Sequence, residues 1–162
     1  MPEVPLELLL PNSFASVLDS QPSTSGTDGM SWTIYKDIER TPSFEISAVK
    51  SNQRSFYDDA RARLHINDYI SPFDVLLINE GGCIMETSIS TIYVKQAGRW
   101  VTPTLASGCQ AGTTRRWAID NNYCEEQDVH VDQLVDRVCI VSNGVKGFAG
   151  GRIHGSLFSP AA

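Results

Sequence analysis

Glu80-Gly81-Gly82-Cys83-Ile84-Met85-Glu86-Thr87-Ser88-Ile89-Ser90 opens the stretch whose reading decides the fold. It runs on through Val101-Thr102-Pro103-Thr104-Leu105 to Gly108-Cys109-Gln110-Ala111-Gly112-Thr113-Thr114-Arg115. A Gly pair, which supplies positive φ, turns one apolar run into the next and predicts a hairpin. A lone carboxylate, Glu86, sits within the second run, beside Met85 and among Ile84, Ile89 and Ile92. A Thr-Pro strand end follows, and a Gly-rich segment then opens a helix at Gly112-Thr113-Thr114.

Outward from this stretch the elements alternate. Trp32 to Tyr35 and Phe44 to Val49 read as short strands. From Arg54 the apolar residues Phe56, Tyr57, Ala60 and Leu64 recur at helical spacing, with Asp58, Asp59, Arg61 and Arg63 opposite. Ser71-Pro72 ends that helix, and Val75-Leu76-Leu77-Ile78 is a buried strand. Cys83 to Val94 reads as one continuous strand, with Trp100 to Thr102 another after the Gly98 turn. A helix spans Gly112 to about Asn121, with Thr as its cap. A short helix over Val131 to Arg137, a strand over Val138 to Ser142, an Asn143-Gly144 turn and a last strand around Gly151 to Leu157 complete an α+β pattern. Residues 1–30, rich in Pro, Ser, Thr and Gly, read as a poorly ordered lead-in, and residues 31–162 as the folded domain.

Composition narrows the function. The 162 residues are 41% hydrophobic and 20% charged, as expected of one globular domain. Net charge is −6, and the longest basic cluster is Arg115-Arg116, which argues against nucleic acid as a partner. The four cysteines, Cys83, Cys109, Cys124 and Cys139, are widely spaced and read as reduced, mostly buried thiols. His65, His130 and His154 have no spacing that suggests a metal, and no G-x-S-x-G elbow is present. Leu6 to Leu10 is too short for a membrane span and has acidic flanks unlike a signal peptide, so a cytoplasmic location is expected.

Three sites can carry chemistry. Alternation alone would turn Glu86 to solvent; inside an apolar strand it would need a partner to offset its desolvation. Lys50 closes the apolar stretch before the helix, with Arg54 one helical turn beyond; alone it would be a solvated charge. Gly112-Thr113-Thr114 offers backbone N–H groups and hydroxyls at a helix start, either as ordinary capping or as an anion site.

The order of these parts resembles the class IV (fold type IV) pyridoxal phosphate enzymes, from Trp32 to Phe148 and most specifically from Leu76 to Arg115. These comprise the branched-chain and D-amino-acid aminotransferases and 4-amino-4-deoxychorismate lyase. The resemblance implies the large domain of the D-amino-acid aminotransferase-like fold and pyridoxal 5'-phosphate as cofactor. By it, Lys50 is the lysine that binds the cofactor, Glu86 faces the pyridine nitrogen, and Thr113, Thr114 and Asn143 hold the phosphate. Arg54-Ser55-Phe56-Tyr57-Asp58-Asp59-Ala60-Arg61 and Ser142-Asn143-Gly144-Val145-Lys146-Gly147-Phe148 look most like the lyase, which forms p-aminobenzoate and pyruvate for folate synthesis. An amino-acid aminotransferase is the alternative reaction, and a homodimer the expected assembly.

Two departures stand out: Thr91 occupies a position where the family usually has asparagine, and Gln110 one where it has an apolar residue. Only residues 1–49 precede Lys50, where the family has a small domain. The expectation is therefore a large domain truncated relative to the family, with a catalytically inactive paralogue that binds a partner as a third reading.

Overall fold

The computed structural model describes residues 32–42, 53–134 and 138–154. The lead-in at 1–30, the strand expected over Phe44 to Val49, and Lys50 lie outside the described residues. Among the described residues, eight strands form one sheet: β1 (Trp32–Lys36), β2 (Phe73–Ile78), β3 (Ile84–Thr87), β4 (Thr91–Gln96), β5 (Arg99–Thr102), β6 (Glu125–Glu126), β7 (Val138–Asn143) and β8 (Gly147–His154). Helix α1 (Gln53–Arg63) lies between β1 and β2, and α2 (Thr113–Asp120) between β5 and β6. Short 3₁₀ turns occupy Leu105–Ser107 and Val131–Gln133.

The spatial order is β3-β2-β1-β8-β7-β4-β5-β6. β1 runs parallel to both β2 and β8, whereas β2–β3, β7–β8, β4–β7 and β4–β5 are antiparallel. This order, with the chain passing directly from β3 to β4, dictates the sheet's shape. In a flat sheet five strand spacings of about 4.8 Å would separate them. Residues 88–90 cannot reach that far at about 3.5 Å per residue, so the sheet must curl until its β3 edge approaches β4.

Curling gives the sheet an inside and an outside, and the sequence supplies apolar residues to both. Ile34, Leu76, Ile78, Ile84, Ile92, Val94, Val101, Cys139, Val141 and Ile153 form one continuous buried cluster from seven strands. The intervening residues face outward and are covered by the helices. Val75 and Leu77 pack with Ala60 and Leu64 of α1. Tyr93, Ile140 and Phe148 pack with Ala118 of α2, and Trp117 lies against Phe148 with ring centroids 5.5 Å apart. The period-2 alternation of β2, β4 and β7 is thus hidden in sequence, because both faces are apolar.

The continuous strand expected over Cys83 to Val94 is two strands, broken at Ser88-Ile89-Ser90, where Thr87 N–H donates to the Ser90 carbonyl at 2.9 Å. The hairpin before it is present, with Gly82 at φ +83°. Thr does not cap α2: Gly112 is the N-cap, in extended conformation, with no side-chain cap hydrogen bond. The helix expected from Val131 is only the 3₁₀ turn as far as it is described, and the last strand begins at Gly147, well before Gly151. Cys109, Cys124 and Cys139 are buried free thiols, with Cys83 half-buried.

Candidate active site

A β-bulge decides where Glu86 points. Ile78 pairs with Ile84 and Leu76 with Thr87, so Met85 and Glu86 together oppose the single residue Leu77. The expectation that alternation turns Glu86 to solvent does not hold, because strict alternation would put it on the face of Ile84, in the sheet's interior. The extra residue re-aims it. Met85 joins the cluster under α1, and Glu86 meets Tyr57 of the same helix.

Glu86 is 6% exposed. Its Oε1 accepts from the Tyr57 hydroxyl and from the Gln110 backbone N–H at 3.2 Å, and that N–H also lies 3.3 Å from Oε2. Burial pushes its pKa from 4.5 up to about 7, with the two hydrogen bonds and Arg115 pulling the other way. Burial and the neighbouring Glu86 charge also raise the Tyr57 phenol, keeping it a protonated donor. Gln110 joins through its side chain too, its Nε2 donating to the Tyr57 oxygen at 3.3 Å. The departure from an apolar residue at 110 therefore adds a donor to Tyr57, and the backbone at 110 supplies another to Glu86.

Glu86 lines an open cavity of about 440 Å³ on the outer side of the sheet. Its walls come from α1 (Arg54, Tyr57), from the β3–β4 segment (Thr87 to Thr91), from Gln110 and Gly112 ahead of α2, and from Ser142, Asn143 and Val145 at the β7–β8 turn. Tyr69 and the 92% exposed Val145 complete its rim. The segment joining β3 to β4 is held from three sides. Ser88 is bonded to Arg61 (2.8 Å) and Asp74, themselves a buried ion pair at 3.4 Å with 4% and 0% exposure. Asn143 Nδ2 donates to the Ile89 carbonyl at 2.9 Å, and Lys146 Nζ to Ser90 Oγ at 2.6 Å. These contacts order the segment in a chain that has Thr91 at the position of the usual asparagine.

The sequence-predicted residues are distributed unequally around this cavity. Glu86, Asn143 and the Gly112 start of α2 line it together. Thr113 is exposed; Thr114 is buried, its hydroxyl 2.8 Å from Ser142 Oγ, which is itself 2.8 Å from the Tyr93 hydroxyl. Asn143 Oδ1 accepts from the Val145 and Lys146 N–H groups at 2.9 Å each, so its side chain builds the turn as well as facing the cavity. Sequence reasoning missed Tyr57, read only as part of an apolar helix face, and it missed Ser90 and Lys146. The polar run Thr87-Ser88-Ile89-Ser90-Thr91 was the available signal for Ser90.

The residues present fit pyridoxal phosphate. A buried carboxylate with lone pairs left over and a helix start with free N–H groups open on one cavity, suiting a protonated ring nitrogen and a phosphate. Among the described residues, no helix is long and apolar enough to cross a membrane.

Comparison with known proteins agrees. The chain is 29% identical over 140 residues to aminodeoxychorismate lyase of Saccharomyces cerevisiae, covering 76% of this chain and 37% of that protein. It is 31% identical over 127 residues to a Schizosaccharomyces pombe protein provisionally given the same name, covering 77% of this chain and 47% of the relative. The chain thus spans less than half the length of these curated relatives. The fold matches the crystal structure of 4-amino-4-deoxychorismate lyase from Pseudomonas aeruginosa with TM-score 0.64 at 17% identity, covering 82% of this chain and 50% of that one. It also matches the pyridoxal-phosphate form of a branched-chain amino acid aminotransferase from Thermobaculum terrenum, with TM-score 0.62 at 15% identity, covering 78% and 44%. The family model described as amino-transferase class IV aligns with residues 10–152. With the fold, the re-aimed glutamate and this alignment in accord, the chain belongs to the class IV aminotransferase family.

Proposed function

We propose that this chain is the cofactor-binding part of a pyridoxal-phosphate-dependent lyase that converts 4-amino-4-deoxychorismate to p-aminobenzoate and pyruvate. The observation that carries the reading is Glu86, a buried carboxylate turned by a bulge toward a cavity that also contains a helix start. A buried carboxylate that opens on a cavity is an arrangement that a cationic group of a ligand would complete. The lyase is favoured over an aminotransferase by the two curated relatives, both named for the lyase.

Pyridoxal phosphate, when bound, supplies an electron-withdrawing ring that stabilises negative charge developing on the substrate. Glu86 would accept the pyridine N–H and hold that proton in place. Tyr57 and the Gln110 N–H fix the orientation of the carboxylate and favour its ionised form. The N–H groups at Gly112-Thr113-Thr114 and the Asn143 turn would hold the phosphate by donor geometry and helix dipole. Lys50 would be the attachment point and the base: its neutral amine would take the proton from the amine-bearing ring carbon, the ring carbon–oxygen bond would break with its electron pair leaving on the enolpyruvyl oxygen as the ring becomes aromatic, and the released enolpyruvate would take up a proton at its methylene carbon to give pyruvate. Arg54, exposed at the cavity wall, adds positive charge for a dianionic substrate.

The test is an absorbance spectrum of the purified chain with pyridoxal phosphate, before and after borohydride, beside Lys50→Ala. A visible-edge band that borohydride traps on Lys50 is expected, followed by p-aminobenzoate release from the substrate. Turnover in Lys50→Ala equal to wild type would overturn the mechanism. An amino acid that converts the bound cofactor to its pyridoxamine form would favour the aminotransferase. Absence of the band in a folded chain would favour an inactive homologue that binds a partner, for which a full-length relative in a homodimer-like pairing is the natural candidate.

A further inference from the structure

Ser90 is 5% exposed, lines the cavity, and its hydroxyl oxygen faces one close donor and one more distant one. Lys146 Nζ donates to its Oγ at 2.6 Å, and Asn143 Nδ2 approaches the same atom at 3.5 Å. The direction of both contacts is fixed. Burial lowers the Lys146 ammonium only to about 8, so at neutral pH it is charged and purely a donor. The Asn143 amide is oriented by its own Oδ1, which accepts two backbone N–H groups.

A serine hydroxyl has one hydrogen and two lone pairs. With donors on the lone-pair side, the O–H must point elsewhere, and among the described residues no acceptor receives it. The cation behind it also polarises the bond and strengthens it as a donor. Lys146 itself is anchored over the Trp32 ring, 3.7 Å from its centroid, and forms no ion pair within the described residues. The opposite charge that acts on it most is Asp74, which is itself already paired with Arg61. That arrangement suits an anion.

We propose that Ser90, polarised by Lys146, is a directed hydrogen-bond donor to an anionic oxygen of the molecule bound in this cavity. This rests on the reading of the cavity as an anionic-ligand site. Two sources share that chemistry, the phosphate of the cofactor and a carboxylate of the substrate or product. Lys146 acts through Ser90 and is a positioning residue.

The experiment is calorimetric titration of the full chain and of Ser90→Ala, Ser90→Cys, Lys146→Met and the Ser90→Ala/Lys146→Met pair. The probes are pyridoxal phosphate, pyridoxal, inorganic phosphate and pyruvate, with circular dichroism confirming that each variant is folded. Loss of a hydrogen bond to a charged group predicts binding weaker by roughly tenfold or more in Ser90→Ala. Ser90→Cys, which refills the volume with a poor donor, should lose nearly as much, and stands in if the alanine variant does not fold. Weakening of inorganic phosphate and pyridoxal phosphate but not pyridoxal assigns the donor to the phosphate. Weakening of pyruvate alone assigns it to the carboxylate.

Lys146→Met should weaken the same probe, and its effect should vanish in the Ser90→Ala background. Unchanged affinity for every anion in Ser90→Ala, additive effects in the pair, or no anion binding by the wild-type chain would overturn the proposal. The borohydride-trapped band on Lys50 is read in the wild-type chain at saturating pyridoxal phosphate, so failure here and failure of the lyase reading are separable.

Discussion

Replacing Glu86 by glutamine should stabilise the protein at alkaline pH and leave it nearly unchanged in acid. The folded protein holds the Glu86 pKa near 7 because burial penalises the charge, against 4.5 when the group is solvated. Below pH 4.5 both folded and unfolded chains carry the proton. Between 4.5 and 7 only the folded state keeps it, so folding takes up a proton and stability falls as pH rises. Above 7 both states are ionised and the loss is complete. At about 1.4 kcal/mol per pH unit, this window costs the fold about 3 kcal/mol.

Glutamine keeps the volume and an acceptor for Tyr57 and the Gln110 N–H, with no charge to desolvate. Urea unfolding of the cofactor-free chain and of Glu86→Gln, at intervals from pH 4 to 8, should therefore give curves that coincide near pH 4. They should diverge to about 3 kcal/mol in favour of the variant at pH 8. Other titrating groups cancel in the difference. Two curves separated by a constant amount, or a variant less stable than wild type at pH 8, would refute the claim that Glu86 is held at a desolvation cost.

Tyr57→Phe removes a donor that lowers the Glu86 pKa, so the carboxylate's protonation midpoint, followed by carbon NMR, should rise above about 7. The loss of one hydrogen bond to a charged group makes that rise about one pH unit or more. Arg61→Ala leaves Asp74 fully buried without its cation and should cost about 3–5 kcal/mol in urea unfolding. A loss below about 1 kcal/mol would mean that solvent reaches Asp74. Gly98→Ala should cost only the left-handed backbone, about 1–2 kcal/mol, because its φ is +77° and the space beside it is open. Gly82→Ala should cost more, since a Cβ there would lie 2.2 Å from His130 Nε2, and His130→Ala in the same chain should recover the excess in thermal unfolding.

The α1 helix, the buried strand at Val75 to Ile78, the Gly82 turn and the α2 start were legible because each is a local matter. Helical spacing, apolar runs and glycine at positive φ report the preference of a few neighbouring residues. The same locality explains the errors. The break at Ser88 to Ser90 follows from the chain crossing to a strand that lies far away in sheet order, and its polar residues mark it only weakly. Gly112 took the cap position from threonine, and the Thr114 hydroxyl meets Ser142 of β7 instead.

By itself, then, the sequence determined the kinds of element, their order, and the presence of a carboxylate in an apolar strand ahead of a glycine-opened helix. It could not determine which way that carboxylate faces. A one-residue bulge reverses the side on which a strand residue lies, and the bulge exists only in the pairing of β3 with β2. The gathering of Tyr57, Glu86, Ser90, Gln110 and Asn143 around a single cavity likewise required the sheet to curl. Residues so far apart in the chain meet only when its two distant strands are brought together.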